Sequence, residues 1–200
     1  MKHLKMLGLA VMAALALIAI AGAGSASATV LCDENATPCP EAKRWNVAQV
    51  FETTLETANI VFNAGLYNIE CPETTMEGSL SNEGGAGNVI IELEKITFGG
   101  CNCPITVVKT GSMSVEHTVG TMNGKLTTAN IELTWNCMGM GHCIYGEGPF
   151  GTLTGGATGT LDVNATMTRV KGAPPGCPAT VSWKGNYKVL TPKPVYVSEA

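Results

Sequence analysis

The chain of 200 residues carries 12 basic and 16 acidic side chains, a formal charge of −4, and only 14% of its residues are charged. So acidic and charge-poor a chain, with no basic run, argues against binding the phosphates of nucleic acid. Its 24 glycines and abundant threonine point to many short strands and turns and away from a helical bundle.

Met1-Lys2-His3-Leu4-Lys5 is a short basic start, Met6 to Ile20 is apolar, and Ala26-Ser27-Ala28 is an A-x-A cleavage site. Charged, apolar and small, in that order, is the pattern of an export signal. Residues 1–28 are therefore expected to be a signal peptide and 29–200 a single domain, with no membrane association once the signal is removed. The competing reading, a retained anchor, is weakened because the apolar part is short for a bilayer and decays into Gly, Ser and Ala. Leu31 is too large for the small position before a lipid-bearing Cys32, and no arginine pair precedes the apolar stretch. Without its first 28 residues the chain has ten basic and 16 acidic side chains, net −6.

From the new start, the first element in doubt is Glu41 to Ala58. Val47, Val50, Phe51, Thr54, Leu55 and Ala58 have helical spacing, while the Thr content and the following Ile60-Val61-Phe62 favour strand, so both stay open. Val89 to Phe98 alternates on odd positions (Val89, Ile91, Leu93) and then on even ones (Ile96, Phe98). That change of phase at Glu94-Lys95 predicts a β-bulge. Met113 to Val119 is a short alternating strand with His117 on its apolar side, most simply a partly buried histidine with one hydrogen-bond partner.

In Thr128 to Trp135, residues Ala129, Ile131, Leu133 and Trp135 share one face. Leu161, Val163, Ala165 and Met167 do so in Thr160 to Thr168, and Val181, Trp183, Tyr187 and Val189 in Val181 to Val189. A strict period of two marks strands with one buried and one wet face. Turns are signalled at Asn82 to Gly87, Asn123-Gly124, Gly155-Gly156 and Pro174-Pro175-Gly176. The whole predicts an all-β fold: one antiparallel β-sandwich or barrel of about ten to twelve strands, stapled by disulfides.

All eight cysteines follow the signal, and an even count in an exported chain reads as four disulfides. Cys32 with Cys39 and Cys137 with Cys143 could each close a short loop. Cys101 and Cys103, two apart on one strand face, suit different partners. The expected pairs are Cys71 with Cys101 and Cys103 with Cys177.

Few side chains offer chemistry. Gly146-Glu147-Gly148-Pro149-Phe150-Gly151 matches G-x-G-x-x-G, but Thr152-Leu153-Thr154-Gly155-Gly156 cannot begin the helix that a dinucleotide site needs, so a strand-connecting loop is expected. Met138, Met140 and His142 are soft ligands that suit copper. A disulfide between Cys137 and Cys143 would leave only those three as ligands and would make the turn a rigid recognition loop instead. His117 and His142 follow the signal, as do Asp33 and Asp162, and no G-x-S-x-G elbow places a serine beside them. Glu92, Glu94, Glu116 and Glu132 fall on wet faces, which explains them better than a glycosidase pair. Asn35-Ala36-Thr37 and Asn164-Ala165-Thr166 are glycosylation sequons only in a pathway that uses them.

The cysteine frame resembles a group of exported β-rich proteins of actinobacteria that carry no known activity. The residues that bear the likeness are Thr29-Val30-Leu31-Cys32 with Pro38-Cys39-Pro40, Cys71, and Ile96-Thr97-Phe98 leading to Cys101. Cys137 with Cys143, Cys177-Pro178 before Trp183 and Tyr187, and Pro194-Val195-Tyr196-Val197-Ser198 complete it. The resemblance implies an all-β extracellular fold, favours strand for Glu41 to Ala58, and transfers no functional residue. The expectation is an exported, non-catalytic structural or binding protein at the cell surface or in the medium. It needs no cofactor, and its partner would be a protein or the cell envelope.

Overall fold

The computed structural model describes residues 28–65, 67–135, 143–170 and 177–200. Among them eight antiparallel strands close into a ring: β2 (Val50–Leu55), β5 (Glu73–Leu80), β6 (Val89–Gly99), β8 (Ser112–His117), β9 (Gly124–Trp135), β10 (Cys143–Thr154), β11 (Thr160–Arg169) and β12 (Thr180–Thr191). The β11–β12 pairing that joins the two ends of this order makes the fold a barrel and not a sandwich. Closure removes the sheet edges that would otherwise pair with other chains.

The interior is written by alternation. Leu161, Val163, Ala165 and Met167 of β11 and Val181, Trp183, Tyr187 and Val189 of β12 are all buried. Aromatic rings fill the barrel: Phe62 lies 5.2 Å from Trp183 and 5.7 Å from Trp135, which stacks on Tyr145 at 4.6 Å. Fully burying one such side chain stabilises the fold by about 1.5–3 kcal/mol.

The expected bulge in β6 is present. Glu77 of β5 faces Lys95, and the next residue, Gly78, faces Leu93, so Glu94 is the inserted residue. Gly78 has to be glycine here, because a Cβ would come within 2.2 Å of the Glu92 carbonyl oxygen.

A second change of phase was not expected. Leu126 is buried, Ala129 is exposed, and Ile131, Leu133 and Trp135 are buried again. Asn130 takes φ +59° and turns the strand over between them, so Ala129 leaves the apolar face assigned to it. The strand ending in His117 also stops sooner than expected, leaving Val119 71% exposed in the following turn.

The G-x-G-x-x-G stretch is not a loop. It lies inside β10, with register shifts between Gly146 and Gly148 and between Pro149 and Gly151. Cβ atoms at Gly146, Gly148 and Gly151 would lie 2.6, 2.6 and 1.9 Å from the carbonyl oxygens of Ile131, Thr166 and Asp162. Close approach of neighbouring strands, with no phosphate, accounts for these glycines. Glu41 to Ala58 forms a single 3-10 turn, Glu41–Lys43, and then β2, so the helical alternative does not form.

Two strands change partners along their length. β12 pairs β3 (Ile60–Ala64) through Ser182 to Lys184 and β2 through Tyr187 to Thr191. β9 pairs β8 through Gly124's half and β7 (Ile105–Lys109) through Glu132 to Trp135. With β4 (Tyr67–Cys71) paired to β3, the barrel is closed at one pole and parted at the other. A ribbon of β1 (Thr29–Cys32) and β13 (Tyr196–Glu199) covers the closed pole, burying Leu31, Val195 and Val197 against the main core.

Candidate functional site

At the parted pole β7 and β8 run along β9 almost as one strand, broken at Thr110-Gly111. Gly111 takes φ +61°, and a Cβ there would meet the Ala129 carbonyl oxygen at 2.3 Å. The Leu93 N–H donates to the Gly111 carbonyl at 2.9 Å. Beyond that bond β6 stays with β5, β7 stays with β9, and among the described residues no backbone pairing joins Lys95–Gly99 to Ile105–Lys109. The opening between them is about 490 Å³, with Ile96, Val107, Val108, Lys95 and Lys109 on its walls. Val108 is 47% exposed. Lys95 is held by Glu77 at 2.9 Å and Lys109 by Glu132 on the adjacent strand, so both ammonium groups are partnered.

The edge of β4, the last strand of the sheet order, is treated differently. The Asn102 side chain accepts from the Glu70 N–H at 3.0 Å and donates to the Asn68 carbonyl at 3.2 Å, while its own N–H donates to the Glu70 carbonyl at 3.1 Å. One asparagine thus stands in for a missing strand, and the Cys71–Cys101 disulfide holds it in place.

Disulfides concentrate at this pole. Cys71 pairs with Cys101, and Cys32 with Cys39 at the opposite end, both as expected. Cys177 pairs with Cys143 and not with Cys103, which corrects two expected bridges together, Cys103 with Cys177 and Cys137 with Cys143. The reason is topological. Cys143 opens β10 and Cys177 precedes β12, on either side of β11, with Cα atoms 5.7 Å apart. Arg169 donates to the Cys177 carbonyl at 2.6 Å and Tyr145 to the Pro178 carbonyl at 3.0 Å, which fixes the same segment. Burial raises the Tyr145 phenol above its ordinary pKa, against the lowering effect of Arg169. Cys103 is oxidised as well. The copper candidates Met138, Met140 and His142 lie outside the described residues, as does Cys137.

The remaining candidates are dispersed. His117 is buried at the ribbon pole, with Nε2 2.7 Å from the Thr121 carbonyl. Asp33 faces Lys43 at 3.6 Å. Asp162 sits with Asn164, Lys184 and Asn186 in a shallow outer groove of about 370 Å³. Glu92, Glu94 and Glu116 are exposed; Glu94 accepts from Ser79 at 2.8 Å and Glu132 from Lys109. Among the described residues no three His, Cys, Asp or Glu side chains are placed to share a metal ion, and no helix is long and apolar enough to cross a membrane.

Sequence reasoning missed the parted strands. Their signal was Ile105-Thr106-Val107-Val108-Lys109, a β-branched run between Pro104 and Thr110-Gly111, too short to show a period. No family model, no curated protein and no solved structure matches this chain.

Proposed function

We propose that the chain is an exported, non-catalytic protein that acts at the cell surface or in the medium by binding a protein partner at the parted strands. The observation that carries this reading is that no backbone pairing joins β6 beyond Leu93 to β7 among the described residues, and that Lys95 and Ile96 of one strand and Val107, Val108 and Lys109 of the other line an opening between them. Strand edges offer alternating N–H and C=O groups. The ligand that matches such a wall is an extended polypeptide adding itself as a strand. Export is supported by the basic, apolar and small-residue order of the first 28 residues and by the disulfides Cys32–Cys39, Cys71–Cys101 and Cys143–Cys177 among the described residues.

The test uses a library of synthetic extended peptides against the leader-free protein. Peptides that bind should slow amide exchange at Lys95–Gly99 and Ile105–Lys109. They should lose at least tenfold in affinity on Val108→Lys, which puts an unpartnered charge on a wall where Glu77 and Glu132 already hold Lys95 and Lys109. Binding that ignores this substitution overturns the assignment of the site. Turnover of a polysaccharide, ester or peptide that vanishes on replacing one acid or His117 overturns the non-catalytic reading itself.

A further inference from the structure

Thr29 opens β1 and directly follows Ala26-Ser27-Ala28. It is fully buried, and its polar groups are engaged on three sides. The N–H donates to the Gly87 carbonyl at 3.4 Å, and the carbonyl accepts from the Gly85 N–H at 2.9 Å. The hydroxyl accepts from the His117 N–H at 3.0 Å. The loop that makes these bonds depends on Gly84, at φ +78°, where a Cβ would fall 1.8 Å from the Thr29 carbonyl oxygen.

Across the ribbon Thr29 faces Glu199, whose carboxylate lies 3.9 Å from His117 Nδ1. That nitrogen is buried and has no hydrogen-bond partner. Nε2 faces a carbonyl, which can only accept, so Nε2 carries a proton. Among the described residues no lysine or arginine pairs with Glu199. The start of β1 is thus flanked by a carboxylate without a lysine or arginine and by a buried ring nitrogen without a hydrogen bond.

We propose that this pole is a seat for the α-ammonium group created when the Ala28–Thr29 bond is hydrolysed. The inference rests on the export reading above. An export peptidase spends one water on the bond, leaving the carboxylate on Ala28 of the released leader and the amine, protonated at neutral pH, on Thr29. The Ala28 carbonyl, which accepts from the Ala200 N–H at 3.0 Å in the unprocessed chain, departs with the leader. In exchange a cation with three donors replaces an amide with one, beside Glu199. Because Thr29, Val30, Leu31 and Cys32 are all buried, a peptidase cannot grip the bond after the ribbon has closed. Processing therefore precedes the docking of β1, and the new terminus then locks the ribbon.

The experiment begins with the intact mass and N-terminal sequence of the exported protein, expected to start at Thr29. Melting temperature is then compared for this protein and its N-terminally acetylated form, each with Glu199 and with Glu199→Gln. Acetylation removes the charge while restoring a carbonyl where that of Ala28 stood, so it isolates the ammonium group. Glu199→Gln should lower Tm by about 2–4 °C in the free-terminus protein, and should leave the acetylated form unchanged. Equal effects in both forms overturn the seat and leave the export reading standing. An exported chain that keeps its leader or starts elsewhere overturns both.

Discussion

Trp183 donates its indole N–H to the hydroxyl of Tyr187, 3.2 Å away and four residues further along the same buried face of β12. The Tyr187 oxygen thereby satisfies the one polar side-chain group of Trp183, which lets that indole be fully buried.

Burial pushes the Tyr187 phenol far above its ordinary value of 10.0, with the hydrogen bond from Trp183 a smaller opposing effect. Up to about pH 9 a tyrosine keeps its proton in the folded and unfolded chain alike. Above that the unfolded chain ionises first, so stability falls as pH rises. Tyr187→Phe should make that alkaline decline shallower. It should also cost about 1–3 kcal/mol at neutral pH, because the indole N–H is left without its acceptor. Urea unfolding of both proteins from pH 7 to 11 checks the two effects together.

Gly78→Ala should destabilise the barrel by about 1–3 kcal/mol, the cost of forcing atoms into a filled site. Deleting Glu94 from the same variant should recover part of the loss, since without the bulge the strands need not approach so closely at that point. Chemical denaturation of the single and double variants measures the recovery.

Proteolysis without reduction, followed by mass spectrometry, should yield peptides joined through Cys143–Cys177, Cys71–Cys101 and Cys32–Cys39. Replacing Cys143 and Cys177 together by serine should cost about 2–4 kcal/mol, read from the denaturant midpoint. The loss should exceed that for the Cys32–Cys39 pair, which closes a separation of 7 residues in place of 34.

Asn102→Ala removes two side-chain bonds from the edge of β4. Amide exchange at Glu70 should accelerate at least tenfold while exchange in β11 stays unchanged, since local opening is governed by local bonds.

The strands with one strict period were legible. Leu161 to Met167 and Val181 to Val189 announced both their type and their buried face, because nothing interrupts their alternation. The β6 bulge was equally plain, since apolar residues lie on both sides of the phase change. The change at Asn130 was hidden, because small, tolerant Ala129 fits either face. Cysteine pairing was half legible. Cys32 and Cys39 are near in sequence, whereas Cys143 and Cys177 meet only because β10 and β12 flank the same strand. The β-branched run Ile105 to Lys109 signals a strand, but that β6 and β7 stay parted was not legible, for whether an edge finds a partner depends on distant strands.

The antiparallel pairing of Thr29 with Glu199 and of Cys32 with Tyr196 brings both ends of the folded domain to one pole. Anything that tethers this domain through either end therefore leaves from the ribbon side and holds the disulfide-laced, parted side outward. Tension between the two ends would load the ribbon like a zipper, one bonded pair at a time, and not in shear. The ribbon should give way at low force while the ring of eight strands behind it stays closed.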